Sequence, residues 1–413
     1  MTATTLDAIY LDHAATTPVR PEAVEAMLAF LGPRFANPSG SHRLARDARR
    51  GLDDAREELA AALGCRPGEV VVTSGGTEAD DLAVNGALAA TGGTAAGAVA
   101  VATATEHHAV LHPVQAAGGA LVGVDDRGVI DLDALDAALV ALGSRVAVVS
   151  VHLVNNETGT VQPLAAVVER VRRRCPGALV HTDAVQALPW LDLAAATAGA
   201  DLVSVSAHKF GGPKGVGALV VRDGVRLAPR LLGGGQERGR RSGTSPVALV
   251  AAMATAATIA VAERAEVVAR IGAQRDRLVV GLAAAVADLV ETGVGAAGPR
   301  APAPDRAHKI AGACPLCIPG VESEALLFLL DDAGICASAA SSCSSGAQQA
   351  SHVLAAMGVP AGLAQGALRL SLGPTTTAAD IDVALAVIPP AVARLRRTAL
   401  RRRTGGALSL IHI

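Results

Sequence analysis

The chain has 413 residues, 51% of them hydrophobic, and a formal net charge of −2. That length suits a large domain joined to a smaller one. Near-neutral charge excludes a basic nucleic-acid footprint, and Trp190, Tyr10 and four phenylalanines are too few aromatics for stacking platforms.

The opening "MTATTLDAIYLDHAATTP" has neither a basic n-region nor an apolar h-region, so no signal peptide and a cytoplasmic location are expected. Six cysteines in so long a chain do not make a disulfide framework. From residue 70 onward, short β-rich runs alternate with alanine-rich helical stretches. "EVVVTSG", "AVAVATATEH", "ALVGVD", "RVAVVSVHLV", "ALVHTDAV", "DLVSVSAH" and "GVGALVVR" read as seven strands. Several lack polar alternation, as strands covered by helices on both faces do. The alternation predicts an α/β layered domain with a mostly parallel sheet. Polar residues collect just after these strands, at Ser74–Glu78, Glu106–His108, Asn155–Glu157, Asp183–Gln186 and Ser206–Lys209. The carboxyl ends of strands line the ligand crevice in such sheets.

The glycine-rich "LLGGGQERGRRSGTSP" precedes a helical stretch over residues 247–289. Its apolar start, "VALVAAMATAATIAVA", is short and ends at Glu263, which predicts a buried helix and no membrane span. "GVGAAGPRAPAPD" reads as a surface loop. "ESEALLFLLDDAGI" and "DIDVALAVIPPAVARLRR" then suit a smaller α/β domain. The basic stretch Arg394 to Thr404 reads as a solvated helix end. The closing "LSLIHI" turns apolar without cap or periodicity, and is read as a terminal strand or a sequence-assembly artefact. "CPLC", with Cys314 and Cys317, superficially fits a zinc pattern. The later cysteines are too widely spaced, so no metal site is expected.

Only three lysines occur among 36 Lys and Arg residues, and two of them, Lys209 and Lys214, stand in "SVSAHKFGGPKG". An amine can lose its proton and attack a carbonyl, whereas a guanidinium stays charged. Neither lysine fits a P-loop. In "VVVTSGGTEAD" a strand and a glycine turn lead into a helix whose first amides, with Thr77, suit a phosphate. In "HTDAVQ", Asp183 ends a strand, where a carboxylate can hold a protonated ring nitrogen. Amine, carboxylate and phosphate cradle together match what pyridoxal phosphate requires.

Ten segments carry a family resemblance in order from residue 10 to about 373: "YLDHAATTP", "NPSGSHRLARDAR", "TSGGTEADDLAVNG", "TEHHAV", "NNETGTVQP", "HTDAVQ", "SAHKFGGPKGVGAL", "GGGQERGRRSGT", "PGVESEALL" and "RLSLG". The chain resembles the cysteine desulfurases, in the class V aminotransferase family of fold-type-I pyridoxal-phosphate enzymes. The resemblance implies a large cofactor-binding domain over 15–260 with a mostly parallel seven-stranded sheet between helices. It also implies a small α/β domain over 261–400, joined by segment 1–14, and a tail over 401–413 that is disordered or artefactual.

It further implies that Lys209 is the Schiff-base lysine and that His107 lies over the pyridine ring. Asp183 would hold the ring nitrogen and Gln186 the ring oxygen. Gly76, Thr77, Ser206 and His208 would bind phosphate, joined by Thr244 from the other subunit of a homodimer. Asn156, beside the cofactor, and Arg369 would receive the substrate carboxylate.

"GICASAASSCSSGAQQASHVLAAMG" resembles the family's mobile loop, which makes Cys343, eight residues before Ser351, the nucleophile. Its surroundings depart slightly from the commoner glycine-bearing version. The implied reaction converts L-cysteine to L-alanine and leaves sulfur as a persulfide for an iron–sulfur scaffold or a tRNA-thiolation enzyme. An aminotransferase, a selenocysteine lyase or a catalytically silent sulfur-transfer scaffold stands as the alternative. No membrane or direct nucleic-acid partner is expected.

Overall fold

The computed structural model describes residues 8–294, 306–339 and 351–405, the last five of these by backbone alone. All seven expected strands form, and they form one sheet. They are β2 (Val70–Thr73), β3 (Val99–Thr103), β4 (Ala120–Val122), β5 (Val146–Ser150), β6 (Leu179–Asp183), β7 (Leu202–Ser206) and β8 (Gly217–Val221), in the order β2-β8-β7-β6-β5-β3-β4. Only β8 runs against the others: β3 pairs in parallel with β4 and β5, β5 with β6 and β6 with β7, whereas β8 is antiparallel to β2 and β7. The carboxyl ends of β2, β3, β5, β6 and β7 therefore share one edge. β5, β7 and β8 are buried at every position, which is why their sequences are unbroken apolar or small-residue runs.

Helices α1 (Pro21–Leu31), α2 (Arg43–Leu63), α3 (Gly76–Ala90), α4 (His108–Ala116), α5 (Leu132–Leu142), α6 (Leu164–Arg174) and the short α7 (Leu193–Ala196) accompany the sheet. α2 shows why such a stretch is helical. It buries Ala45, Ala48, Leu52, Ala55, Leu59 and Leu63, spaced by three or four residues, while its arginines and acidic residues take the other face. The His42 side chain caps its start by accepting from the Ala45 N–H, and Gly64, at φ 68°, ends it.

A second core is built on β1 (Ile9–Tyr10), β9 (Val290–Glu291), β10 (Ala313–Cys317), β11 (Ile335–Cys336) and β12 (Ala367–Ser371), with α9 (Ser323–Asp332) and α12 (Ala378–Gly405), while α10 (His352–Ala356) and α11 (Ala361–Ala364) pack in a smaller cluster with Cys317 and Ala367. β9, β10 and β12 are antiparallel, and β1 pairs in parallel with β11, which ties the N-terminal segment to this core. α8 (Val247–Ala285) links the two bodies. Its Val247–Ala260 half enters the first core and Val267–Leu282 the second. α8 is long and apolar enough to cross a membrane by composition, but its buried positions are those packed into protein.

Cys314 and Cys317 lie buried along β10. The helical backbone of α12 continues to Gly405, beyond residue 400, where disorder was expected. An uninterrupted run of helix formers around Arg401–Arg403 accounts for the extension. The loop over 295–305, the Cys343 segment over 340–350 and the "LSLIHI" end lie outside the described residues.

Candidate active site

The shared edge of the sheet opens beside a cleft of about 300 Å³, whose lining includes His13, Asn156, Gln186, Trp190, Lys209 and Arg369. Lys209 ends a short 3₁₀ turn immediately after β7. Its Nζ donates to the carbonyls of Ala14 and Ala15, at 2.6 and 2.9 Å. Gln186 Nε2 donates to the same Ala14 carbonyl at 2.9 Å. The N-terminal segment thus holds the amine at the cleft wall.

A buried polar layer interacts with the Lys209 charge. Asp183, the last residue of β6, accepts from the Val185 N–H at 2.9 Å. Burial pushes its carboxyl up to about 6, the Glu106 charge adds to the rise, and the Lys209 charge opposes it. His107 is the N-cap of α4, and its Nδ1 accepts from the Ala109 N–H at 3.1 Å. Its neutral form therefore carries the proton on Nε2. Burial, followed by the charges of Lys209 and His108, pushes this imidazole down to about 4. It is uncharged at neutral pH.

The start of α3 offers uncapped backbone amides. Its N-cap is Gly75, and no side chain caps the first amides, which leaves N–H donors for an anion. A Cβ on Gly76 would come within 2.8 Å of Val185 Cγ2 and 3.6 Å of Ser206 Cβ. One on Gly217 would meet the Gly75 backbone at 2.8 Å. Thr77 follows in the first turn, and Ser206 ends β7 beside it. His208 Nδ1 shares a hydrogen bond with Thr16 Oγ1 at 3.1 Å. Burial and then the two neighbouring lysines push that ring down to about 4.

Arg369 reaches the cleft from β12. Its Nη2 pairs with Asp12 Oδ1 at 2.9 Å and its Nη1 donates to the Asn156 carbonyl at 3.3 Å. Its Nε, although buried, has no partner among the described residues. The structure thus brings Asn156, Gln186, Lys209 and Arg369 to one cleft. His107, Asp183 and His208 do not line it but feel the Lys209 charge, and Gly76 and Ser206 approach each other at the start of α3, where Thr77 follows. Thr244 stays exposed on the segment before α8 and does not line the cleft. Cys343 lies outside the described residues.

The aminotransferase class-V family model matches residues 9–384. The chain belongs to the class-V aminotransferase family. Among relatives of this class-V chain, an IscS-like cysteine desulfurase from Mycobacterium tuberculosis is 45% identical over 95% of this chain and 98% of its own. A solved NifS-like protein, 32% identical, superposes with a TM-score of 0.83 over 94% of this chain and 100% of its own. SspA, solved in complex with cysteine, is 28% identical with a TM-score of 0.73 over 89% of this chain and 99% of its own.

The class-V site also contains groups that the residue-level sequence reading did not single out. Asp12 holds Arg369 and His13 lines the cleft. Glu157 is buried and accepts a hydrogen bond from Ser351, the N-cap of α10. Burial pushes the Glu157 carboxyl up to about 7, against the pull of Ser351 and Arg369. Beneath Asp183, His181 bridges Ser150 and Ser204 at 2.8 and 2.9 Å and lies 3.5 Å from the buried Asp80. "YLDHAATTP" and "NNETG" contained the signal, as polar residues inside quoted motifs.

Proposed function

We propose that this chain is a pyridoxal-phosphate-dependent cysteine desulfurase that converts L-cysteine to L-alanine and leaves the sulfur as a persulfide on Cys343. The observation that carries the reading is the placement of the Lys209 amine and the Arg369 guanidinium in one cleft, with the buried Asp183 carboxyl close enough to feel the Lys209 charge. The residues present fit the cofactor. The start of α3 has no side-chain cap on its first amides, and Gly76 leaves that turn without a side chain of its own, so the amides can take a phosphate. When bound, pyridoxal phosphate supplies a carbonyl for amines and an electron sink.

Gly76, Thr77, Ser206 and His208 would hold the phosphate, together with the exposed Thr244 of a second subunit in a homodimer. Asp183 would hold the proton of the ring nitrogen, and Gln186 would reach the ring oxygen. His107 would stack as a neutral imidazole, its ring oriented by the Ala109 N–H. Arg369 and Asn156 receive the substrate carboxylate, a bidentate task suited to a guanidinium. Lys209, as a neutral amine, removes the Cα proton, which arginine in its place could not do. The Cys343 thiolate attacks the substrate sulfur. The carbon–sulfur bond breaks with its electron pair going to carbon, a sulfur–sulfur bond forms, Cβ takes up a proton, and Lys209 returns the Cα proton to complete alanine.

The persulfide sulfur then passes to an acceptor protein for iron–sulfur assembly or tRNA thiolation, in the cytoplasm. The absorption spectrum of the purified protein tests the reading. A Schiff-base band should be present, absent in Lys209→Ala and retained in Cys343→Ala. A band that persists without Lys209 would refute the assignment.

A further inference from the structure

His13 is a buried imidazole in a cleft where Lys209, Gln186 and both Arg369 Nη atoms are hydrogen-bonded. It is 5% exposed, and neither Nδ1 nor Nε2 has a partner among the described residues. Buried polar groups are almost always paired, so a ring with both nitrogens vacant calls for a partner that arrives with the ligand. The ring lines the same cleft as Lys209 and Arg369.

Its position is closely fixed. Tyr10 packs edge-on against it, with centroids 5.0 Å apart and planes at 73°. Gly373 lies so near that a Cβ there would come within 2.5 Å of the ring. The residue before it, Asp12, holds Arg369, and the carbonyl of the residue after it, Ala14, holds Lys209 and Gln186. The Ala14 N–H is in turn bound to Ser371 Oγ at 2.9 Å. His13 therefore stands between the two anchored groups of the site.

L-Cysteine has three polar groups. Its carboxylate is matched by Arg369, and its amino group takes the place of the Lys209 amine. We propose that His13 recognises the third group, the thiol, and so distinguishes L-cysteine from amino acids that lack one; the proposal rests on the site assignments above. Burial pushes the imidazole down to about 4, so it is neutral at physiological pH and is no counter-ion for a carboxylate. A neutral imidazole offers one N–H and one bare nitrogen. A thiol can be the partner of either one, as a weak donor to the bare nitrogen or a weak acceptor from the N–H.

The test compares two amino acids that differ only by the sulfur. KM for L-cysteine is measured in holoenzyme, and the dissociation constant of L-alanine is read from its effect on cofactor absorption. His13→Phe should raise KM for L-cysteine about tenfold or more, the scale of one lost buried hydrogen bond, with L-alanine binding changed by less than about twofold. His13→Leu serves the same purpose if the phenyl ring crowds Gly373. His13→Gln, which restores a donor and an acceptor, should recover part of the loss. Equal weakening of both amino acids, or of neither, would overturn the proposal. Arg369→Ala is the control for the underlying reading and should weaken both. If it weakens neither, the assignment of the cleft fails, and the His13 proposal fails with it.

Discussion

Arg369 on β12 is ion-paired with Asp12 at 2.9 Å, so the guanidinium that faces the cleft is already held from the N-terminal segment. The pair fixes the plane of the fork. The buried Nε, without a partner among the described residues, remains for an incoming carboxylate.

Replacing Arg369 with alanine removes that donor and leaves Asp12 without its ion-pair partner. The loss of a charge-assisted contact should cost on the order of 2 kcal/mol in substrate binding, or a KM raised by tens of fold. Cofactor absorption should be unchanged, because Arg369 lies apart from the phosphate cradle and from Asp183. Steady-state kinetics and a spectrum of the same preparation check both halves.

Gly217 begins β8, the one reversed strand of the large sheet. A Cβ there would lie 2.6 Å from the Val205 carbonyl and 2.8 Å from the Gly75 backbone. Both obstacles are main chain and cannot rotate aside. Gly217→Ala should therefore displace the Gly75 turn and the uncapped amides of α3. The expected result is weaker cofactor retention on dialysis, with tenfold or so lower affinity from the cradle's lost geometry. Retention equal to that of the parent protein would show that the turn does not hold the phosphate.

Much of this arrangement is legible in the sequence, for identifiable reasons. β5 and β7 are buried at every position, and the polar residues that follow such strands, such as Asn155–Glu157 after β5 and Lys209 after β7, stand out. The reversal of β8 is not legible, because "GALVV" has the same buried pattern in either direction. Pairings across long separations are hidden as well. Asp12 meets Arg369 across 357 positions and Glu157 meets Ser351 across 194. No local periodicity encodes such contacts. His13 escaped notice because a lone imidazole in a quoted motif says nothing of whether its nitrogens are paired.

Glu157 gives a pH dependence with a definite sign. Burial first, opposed by Ser351 and Arg369, raises its folded pKa from 4.5 to about 7. The native state then holds this proton more tightly than the unfolded state does. Its contribution to stability is complete below pH 4.5 and is lost as pH rises through 7. Glu157→Gln keeps an acceptor for the Ser351 hydroxyl and removes the titration. Relative to the parent, the variant should gain on the order of 2 kcal/mol between pH 4.5 and pH 8. Denaturant unfolding at the two pH values reads the difference directly. A gap between the two proteins that stays constant with pH would show that the carboxyl does not titrate in this window.

The cysteines that the structure describes also bear on the nucleophile. Burial pushes the thiol of Cys65 up to about 11, and those of Cys314 and Cys317 up to about 12. Burial also raises Cys175 and Cys336. Attack on sulfur needs a thiolate, and these five thiols are set against it at neutral pH. Cys336 is the nearest rival to Cys343, since it lies on β11 two residues before Ser338, which exchanges backbone hydrogen bonds with Arg369. The Asp331 and Asp12 charges add to the effect of burial at Cys336 and make its thiolate still less favourable. After a single turnover with L-cysteine, the persulfide should therefore map to the peptide containing Cys343. Cys343→Ser should abolish it while the cofactor spectrum stays intact, and Cys336→Ser should leave it in place. Peptide mass spectrometry after alkylation makes the distinction, and extra sulfur on the Cys336 peptide would transfer the nucleophile's role to that residue.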